Sequence, residues 1–301
     1  MDHFLTMLSE VVPTAVILEH EPLSRHTSFR IGGPARAVIC PGKPDDIPAI
    51  LSCAYRAGEP LVTIGNGTNL LVSDDGIYAY VLKTSAGVAG AWTEKNILCA
   101  DAGCPLSRAA VTAQREGLSG FAFAHGIPGS VGGAVVMNAG AYGGTMQMVL
   151  DSVDWCDETG EIHTLRCRPE QFGYRVSPFT AHPEQIVLSA RMHLIPGDPE
   201  KIRQEMDDLM ARRSASQPLE YPSAGSVFKR PEGYFAGKLI QDAHLKGYRI
   251  GGAQVSEKHA GFIINTGGAT CDDVRRLIEH IQNTVYAMFG VRLECEIRFL
   301  G

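Results

Sequence analysis

The sequence contains no uninterrupted apolar run of the roughly 20 residues that a membrane-spanning helix needs. It also has no excess of basic charge, because 27 Lys and Arg stand against 33 Asp and Glu and the formal net charge is −6. A mildly acidic chain has no general attraction to nucleic acid or to an anionic membrane surface. We therefore expect no nucleic-acid partner and no membrane insertion, and an anionic substrate would have to be bound by a local cluster of cations.

The patterns that mark a secretory signal or a zinc site are missing too. The first ten residues hold no basic region and include Asp2 and Glu10, which is atypical of a signal peptide. None of the eight cysteines forms a Cys-x-x-Cys pair or lies at zinc-ligand spacing with a histidine. We expect eight reduced, mostly buried thiols, no metal site and a cytoplasmic protein.

Internal repeats and low-complexity tracts are also missing, and the length of 301 residues allows two domains. Asp198 and Pro199 mark the start of a helix, and residues 61–64 form a short apolar strand pattern. The mixed order of helices and strands predicts an α+β protein with a domain boundary within residues 197–222. Further helices are predicted from apolar residues at helical spacing in residues 45–58, 105–116 and 270–289.

The last segment, residues 291–300, alternates between apolar and polar side chains and predicts a strand. Glu296 lies on its polar face, where a carboxylate could act as an acid or pair with a cation. The alternative is that Glu296 and its charged neighbours form exposed cross-strand ion pairs of little energetic value. The residues predicted to share the inner face are Val291, Leu293, Cys295, Ile297 and Phe299.

The 33 glycines are clustered, and one cluster follows the strand at 61–64. Glycines after a strand let backbone N–H groups approach a phosphate closely. This is not the dinucleotide fingerprint, because the sixth position is Leu70 instead of glycine. A plain tight turn explains the pattern equally well. The residues concerned are Gly65, Asn66, Gly67, Thr68 and Asn69.

The larger cluster, residues 126–144, interleaves glycines with small hydroxyl and amide side chains. Bare backbone of this kind suits a pyrophosphate and the edge of an isoalloxazine ring, whereas the lysine of a P-loop is missing. A glycine-rich structural loop is the alternative. The candidate cofactor residues are Gly126, Pro128, Gly129, Ser130, Gly132, Gly133, Asn138 and Gly140.

Two further segments hold candidate catalytic groups. Ser226 does not lie in a Gly-x-Ser-x-Gly elbow, so a hydrolase nucleophile is disfavoured, and its hydroxyl could instead deliver a proton with Lys229 nearby. The alternative is that Ser226 caps or turns the chain and Lys229 is solvated. Arg175, next to Tyr174, is a fixed cation that could hold a carboxylate or stabilise an enolate. By pattern alone, a surface Tyr-Arg pair is the favoured interpretation.

Six segments in this order resemble the UDP-N-acetylenolpyruvoylglucosamine reductases, also called UDP-N-acetylmuramate dehydrogenases. The resemblance implies an amino-terminal FAD domain of the PCMH or vanillyl-alcohol-oxidase type, built of two α+β subdomains, and a smaller α+β substrate domain. It implies an amino-terminal segment 1–24, an FAD domain 25–196 and a substrate domain 197–301. The matching segments are residues 26–35, 65–74, 126–143, 172–177, 224–231 and 296–301.

The same resemblance implies non-covalent FAD, NADPH as reductant, and UDP-N-acetylglucosamine enolpyruvate as substrate. The product is UDP-N-acetylmuramate, which serves peptidoglycan synthesis and through it cell wall biogenesis, cell shape, the cell cycle and division. By residue, Ser226 resembles the proton donor, and Arg175 with Glu296 resembles the pair that polarises the carboxylate and stabilises the enolate. Candidates for the UDP moiety are Tyr174, Arg213, Gln217, Lys229 and Arg230.

The segment after Ser226 reads Phe-Lys-Arg-Pro, where one branch of the family has Phe-Lys-Asn-Pro. The spacing between Arg175 and Ser226 is also too short for the tyrosine-bearing loop that closes over the substrate in that branch. The chain therefore resembles the shorter-loop branch of that family. Two alternatives remain at this point: another flavin enzyme of the same fold, such as a sugar or lactone oxidase, and a nucleotide-sugar binding module without redox chemistry.

Overall fold

The computed structural model describes residues 2–87 and 89–301. The helices are α1 (His3–Val11), α2 (Asp46–Ala57), α3 (Leu106–Arg115), α4 (Val131–Val136), α5 (Pro199–Ser216), α6 (Ala236–Asp242) and α7 (Cys271–Phe289). Short 3-10 turns lie at Leu23–Arg25, Ala122–Ala124, Met146–Met148 and Pro169–Gln171. None of the helices in these residues is long and apolar enough to cross a membrane.

The strands alternate with these helices along the chain. They are β1 (Val16–Glu19), β2 (Ala35–Cys40), β3 (Leu61–Ile64), β4 (Leu70–Val72), β5 (Ile77–Lys83), β6 (Ala91–Glu94), β7 (Ile97–Asp101), β8 (Leu118–Ser119), β9 (Gly140–Ala141), β10 (Gly144–Thr145), β11 (Leu150–Cys156), β12 (Ile162–Arg166), β13 (Ile186–His193), β14 (Ile195–Pro196), β15 (Arg249–Ile250), β16 (Ala253–Val255), β17 (Ile263–Asn265) and β18 (Arg298–Leu300).

The chain divides into two compact units, and each is discontinuous in sequence. Unit 1 consists of Met1–Glu19, Ala37–Asn66 and Ala79–Ala211, and unit 2 of His20–Arg36, Gly67–Tyr78 and Arg212–Gly301. The three-part division expected from the sequence, with boundaries after residues 24 and 196, stays a prediction.

Unit 1 contains a four-stranded sheet in the order β1-β2-β5-β3 and a five-stranded sheet in the order β12-β11-β13-β7-β6. In the first sheet β3 pairs parallel with β5, whereas β11, β12, β13, β7 and β6 pair antiparallel in the second. Helix α2 buries the apolar stripe predicted for it, and Gly58, at φ +67°, ends the helix in the left-handed conformation that glycine favours. Helix α3 likewise buries its predicted inner face of Leu106, Ala109, Ala110 and Ala113.

Unit 2 contains the antiparallel sheet β15-β16-β17 and the parallel pair β4-β18. Its longest helix, α7, begins with a capping box: Thr270 Oγ1 accepts the Asp273 backbone N–H, and the Asp273 carboxylate accepts that of Thr270. Gly290, at φ +69°, ends α7. The apolar stripe of Val274, Leu277, Ile278, Ile281 and Val285 is buried in the core of unit 2.

The predicted continuous strand over residues 291–300 is wrong. Only Arg298–Leu300 forms a strand, and Cys295 makes an isolated bridge with Phe228. Phe299, predicted to face inward, is 42% exposed. The reason is that the segment changes partner, from the chain around Phe228 to β4, so one alternating face is not maintained along its length.

All eight cysteines are unpaired thiols, and five of them are buried: Cys53, Cys99, Cys104, Cys156 and Cys271. Burial raises the pKa of the Cys104 and Cys167 thiols to about 11 and that of Cys156 to about 12, because it disfavours the thiolate.

We predict that these thiols react slowly in the folded protein. The thiolate is the reactive form, and at pH 8 a thiol of pKa about 11 is only about one part in a thousand ionised. A colorimetric thiol titration at pH 8 should leave Cys104 and Cys156 unmodified until denaturant exposes all eight cysteines. Peptide mapping identifies the modified positions, and rapid labelling of Cys104 in the folded chain would contradict the prediction.

Candidate functional site

In unit 1, the larger glycine cluster is attached to the end of β7. The backbone N–H groups of Val131 and Gly132 donate to the carbonyls of Cys104 and Ala102, each at 2.8 Å. A Cβ at Gly132 would lie 2.8 Å from the Cβ of Ala102, so only glycine permits this approach. Ser130 caps α4, since its Oγ accepts the Gly133 N–H at 3.4 Å.

The two predicted cofactor segments meet at Gly65 and Ser130. A Cβ added at Gly65 would lie 2.4 Å from Ser130 Oγ, well inside van der Waals contact. Gly65 follows β3 and Ser130 begins α4, so the strand and the helix place two segments of unit 1 side by side. Sequence reasoning predicted both segments separately, and the structure brings them together.

Two buried polar atoms next to the larger cluster have no hydrogen-bond partner among the described residues. They are Nδ1 of His125 and Oγ1 of Thr145. His125 immediately precedes Gly126, and Thr145 pairs across a two-stranded ribbon with Gly140. A buried unsatisfied polar atom costs about 1–3 kcal/mol, so such atoms beside bare backbone fit a polar ligand. Neither residue was among the predicted cofactor residues, because burial cannot be read from one sequence.

Asn138 has its carboxamide engaged within unit 1. Its Nδ2 donates to Gln147 Oε1 and to the carbonyl of Gly173, both at 2.9 Å, and its Oδ1 accepts the Gln147 N–H at 3.0 Å. Its backbone is in the left-handed region, at φ +40°. The side chain therefore links the glycine-rich cluster to the segment that contains Arg175.

Arg175 lies at the tip of a tight turn. The turn is closed by two backbone hydrogen bonds between Gly173 and Val176, at 3.0 and 3.2 Å. Arg175 adopts φ +60°, an uncommon conformation for a residue with a side chain. The guanidinium carbon lies 5.1 Å from the centre of the Tyr174 ring, within cation–π range.

The chain after this turn is held to the end of α4. The hydroxyls of Ser177 and Thr180 both donate to the carbonyl of Val136, each at 2.9 Å. Ser177 is buried, so its hydroxyl contributes a hydrogen bond that is shielded from water.

In unit 2, Ser226 lies in an extended segment and not at a helix start. It forms an antiparallel bridge with Phe262, and the Val227 N–H donates to the Gly261 carbonyl at 2.9 Å. Gly225, at φ +76°, provides the turn that precedes it. The alternative in which Ser226 caps a helix is thus excluded.

Glu296 has its backbone bonded on both sides. Its N–H donates to the Val227 carbonyl at 2.7 Å, and its carbonyl accepts from Asn69 Nδ2 at 3.0 Å. The Arg298 N–H donates to the Asn69 carbonyl at 2.9 Å, at the start of the β4-β18 pairing. Unit 2 therefore brings together Asn69 of the first glycine cluster, the segment of Ser226, and Glu296.

The alternative of exposed cross-strand ion pairs is seen in the structure at Glu294. Glu294 pairs with Lys229, Nζ to Oε2 at 3.3 Å, and both side chains are at the surface. Their backbones are also joined, Lys229 N–H to Glu294 carbonyl at 2.8 Å. Such a surface pair contributes about 0–1 kcal/mol, so a ligand could displace it cheaply.

Two more of the predicted substrate-binding residues, Arg230 and Gln217, lie in unit 2. The guanidinium carbon of Arg230 lies 3.9 Å from the centre of the exposed Phe235 ring. Gln217 keeps a buried Oε1 without a hydrogen-bond partner, and its N–H donates to the Arg213 carbonyl at 2.8 Å.

Asp157, Glu161 and His163 form a compact polar cluster at the β11-β12 turn, with one potential ligand atom from each within 4.8 Å of the others. Asp157 Oδ2 lies 3.0 Å from His163 Nε2, and its Oδ1 accepts from Thr159 and from the Glu161 N–H. The hydrogen bonds from His163 and Thr159 hold the pKa of the Asp157 carboxyl well below its usual range. This carboxylate is already satisfied by the turn itself.

We predict that the effects of Gly65→Ala and Ser130→Ala on the free energy of unfolding are coupled. Gly65→Ala alone places a methyl group against Ser130 Oγ and should displace the cap of α4, whereas Ser130→Ala alone removes only that cap, at about 1 kcal/mol. The double variant removes the clashing oxygen, since the Ser130 Cβ would be 3.6 Å away. Urea unfolding should therefore show a double variant more stable than the sum of the single changes implies. Additive losses would mean that the two segments do not touch.

Residues 35–166 match the FAD binding domain family, and residues 217–300 match the family of UDP-N-acetylenolpyruvoylglucosamine reductase C-terminal domains. A UDP-N-acetylenolpyruvoylglucosamine reductase of Caldanaerobacter subterraneus subsp. tengcongensis is 49% identical, covering 98% of this chain and 97% of its own. One of Pediococcus pentosaceus is 46% identical with the same coverage of both chains.

The crystal structure of UDP-N-acetylenolpyruvylglucosamine reductase from Thermus caldophilus is similar with a TM-score of 0.80 and 32% identity. The similarity covers 95% of this chain and 99% of that chain. These findings confirm the predicted fold class, a PCMH-type FAD-binding domain with a smaller carboxy-terminal domain. The chain belongs to the UDP-N-acetylenolpyruvoylglucosamine reductase family.

Proposed function

We propose that the protein is a cytoplasmic flavoenzyme that uses NADPH to reduce UDP-N-acetylglucosamine enolpyruvate to UDP-N-acetylmuramate, a peptidoglycan precursor. Through that product it would serve cell wall biogenesis, cell shape and division. The observation that carries the proposal is the 2.7 Å hydrogen bond from the Glu296 N–H to the Val227 carbonyl. It sets the carboxylate-bearing residue beside the segment of Ser226, as a shared reaction centre requires.

The residues of both glycine clusters fit FAD. Bare backbone at Gly65 and at Gly132, together with the unpartnered Nδ1 of His125 and Oγ1 of Thr145, offers donors and acceptors without bulky side chains. Bound there non-covalently, FAD would accept a hydride from NADPH and pass it to the enolpyruvyl group. We assign its binding to residues 65–69, to residues 126–140 and to the two orphaned side chains. We further propose residues 25–196 as the cofactor domain and 197–301 as the substrate domain, supported by the family matches at 35–166 and 217–300.

Arg175 would bind the carboxylate of the enolpyruvyl group. When a hydride adds to one carbon of the double bond, the electron pair moves onto the other carbon and its carboxylate, and negative charge grows there. A guanidinium is a permanent cation with several fixed donors, so it stabilises this charge more in the transition state than in the substrate. By the resemblance, Glu296 would share with Arg175 the role of polarising the substrate.

Ser226 would complete the reaction as proton donor. Its O–H bond breaks as the proton forms the new C–H bond on the enolate carbon, and the serine oxygen then regains a proton from solvent. A hydroxyl is a weak acid, so the enolate must be held close to Oγ. The extended backbone at residues 226–227 holds the donor in place through its bonds to Gly261 and Phe262.

The UDP moiety would be bound by Tyr174, Arg213, Gln217, Lys229 and Arg230. Lys229 can exchange its surface pair with Glu294 for a diphosphate, and the buried Oε1 of Gln217 can accept from a uracil or ribose donor.

We predict that Ser226→Ala separates the two halves of the reaction. NADPH should still bleach the flavin absorbance, because hydride delivery to the flavin needs no proton from Ser226. Return of the colour on adding the enolpyruvyl substrate should slow by about 100-fold or more, the loss typical of a removed proton donor. Anaerobic stopped-flow absorbance measures both rates.

A serine-to-alanine change on the exposed face of α5, Ser214→Ala, is the matched control and should leave both rates unchanged. Normal reoxidation of Ser226→Ala would refute the proton-donor role. A purified wild-type protein without flavin absorbance would indicate a nucleotide-sugar binding module instead. A flavin that NADPH reduces but the enolpyruvyl substrate does not reoxidise would indicate another flavin enzyme of this fold.

A further inference from the structure

Each of the two glycine clusters contains an asparagine whose carboxamide donates a hydrogen bond to a backbone carbonyl. That carbonyl belongs to a proposed catalytic residue or lies close to one in the sequence. In unit 2, Asn69 Nδ2 donates to the carbonyl of Glu296 itself at 3.0 Å. In unit 1, Asn138 Nδ2 donates at 2.9 Å to the carbonyl of Gly173, two residues before Arg175. The two contacts are independent, and they join residues 227 and 35 positions apart in sequence.

Around Glu296, Asn69 makes a two-point contact. Its side chain binds the Glu296 carbonyl while its own carbonyl accepts the Arg298 N–H at 2.9 Å. The Glu296 N–H is bonded to Val227 on the other side, so the carboxamide completes the restraint of this residue beside Ser226. Loss of the Asn69 donor would remove one restraint on the backbone from which the Glu296 side chain projects.

Around Arg175, the restraint acts on a strained turn. Asn138 uses both of its N–H donors, one on Gln147 and one on Gly173, so its amide group is fully engaged within unit 1. Arg175 at φ +60° keeps its uncommon conformation only if its surroundings impose it. Fixing the Gly173 carbonyl fixes the first residue of the turn.

We infer that Asn69 and Asn138 are positioning residues, Asn69 for Glu296 and Asn138 for Arg175, and that they tie the cofactor loops to the groups that act on the substrate. This inference rests on the proposed roles of Glu296 and Arg175. In this inference the two carboxamides hold the catalytic residues in position, and the cofactor is contacted by the backbone of the loops.

The test replaces each donor by a side chain of similar shape, in Asn69→Leu and Asn138→Leu. For Asn69→Leu we expect reoxidation of the NADPH-reduced flavin by the enolpyruvyl substrate to slow at least 10-fold, because misplacement of about 1 Å can cost up to about 100-fold. Flavin content after ultrafiltration and the rate of reduction by NADPH should stay within about two-fold of wild type. For Asn138→Leu the loss should appear as a slower reoxidation together with a raised KM for the same substrate, since Arg175 would bind the carboxylate and stabilise the charge that grows on it.

Double-variant cycles decide between positioning and other roles. In a Glu296→Ala background, Asn69→Leu should add less than a two-fold further loss, and Asn138→Leu should behave likewise with Arg175→Ala. Asn69→Gln and Asn138→Gln keep an amide donor and should recover part of the rate, and they replace the leucine variants if those fail to fold. Asn283→Ala and Asn96→Ala, at exposed positions of units 2 and 1, are the controls.

Fully additive losses in the cycles, or loss of flavin from the single variants, would overturn the inference while leaving the proposed function intact. If wild-type protein is not reoxidised by the enolpyruvyl substrate at all, the proposed function fails and the inference falls with it.

Discussion

The backbone of Glu296 carries the constraint on which the proposed reaction centre of unit 2 depends. It is bonded by its N–H to Val227 and by its carbonyl to Asn69, at 2.7 and 3.0 Å. These two bonds join three segments that are remote in sequence. Because both bonds are made to backbone groups of Glu296, they restrain the position of its Cα, from which the carboxylate projects.

Unit 1 meets a different constraint, which is the close approach of main chains. Gly65 faces Ser130, and Gly132 lies on Ala102, at distances that leave no room for a Cβ. The clustered glycines thus allow close packing of the main chain as well as access to a ligand. The two interpretations of the sequence, a structural loop and a cofactor-binding loop, are therefore compatible. Backbone strain enters at Arg175, the proposed catalytic cation, whose left-handed backbone is held by its neighbours.

The small polar side chains of the larger glycine cluster differ in function according to which of their hydrogen-bonding atoms already have partners. Ser130 caps the start of α4 and Asn138 holds a turn, although both lie in the predicted cofactor segment. The atoms left without partners belong to His125 and Thr145, at the edges of that segment. An asparagine or serine within a glycine-rich loop can therefore position the loop, while the ligand is met by groups that the loop leaves unsatisfied.

Helices α2, α3 and α7 could be predicted from the sequence, because apolar periodicity is a local signal. In α7 the capping box and the terminal glycine agree with it. The strand over residues 291–300 could not, since its alternation suits one sheet whereas the segment bonds first to Phe228 and then to β4. The exposed cross-strand ion pair expected as an alternative forms at Glu294, but its partner Lys229 lies 65 positions away in the sequence and could not be predicted from the alternation.

By itself, the sequence determined the α+β class, the two glycine clusters and, through ordered motifs, the family. Only the tertiary structure decided which groups meet: Asn69 with Glu296, Asn138 with the turn of Arg175, and Gly65 with Ser130. The physical reason is that these contacts join segments up to 227 positions apart. They form when non-local strands pair and helices pack, and neither residue type nor spacing along the chain encodes that pairing.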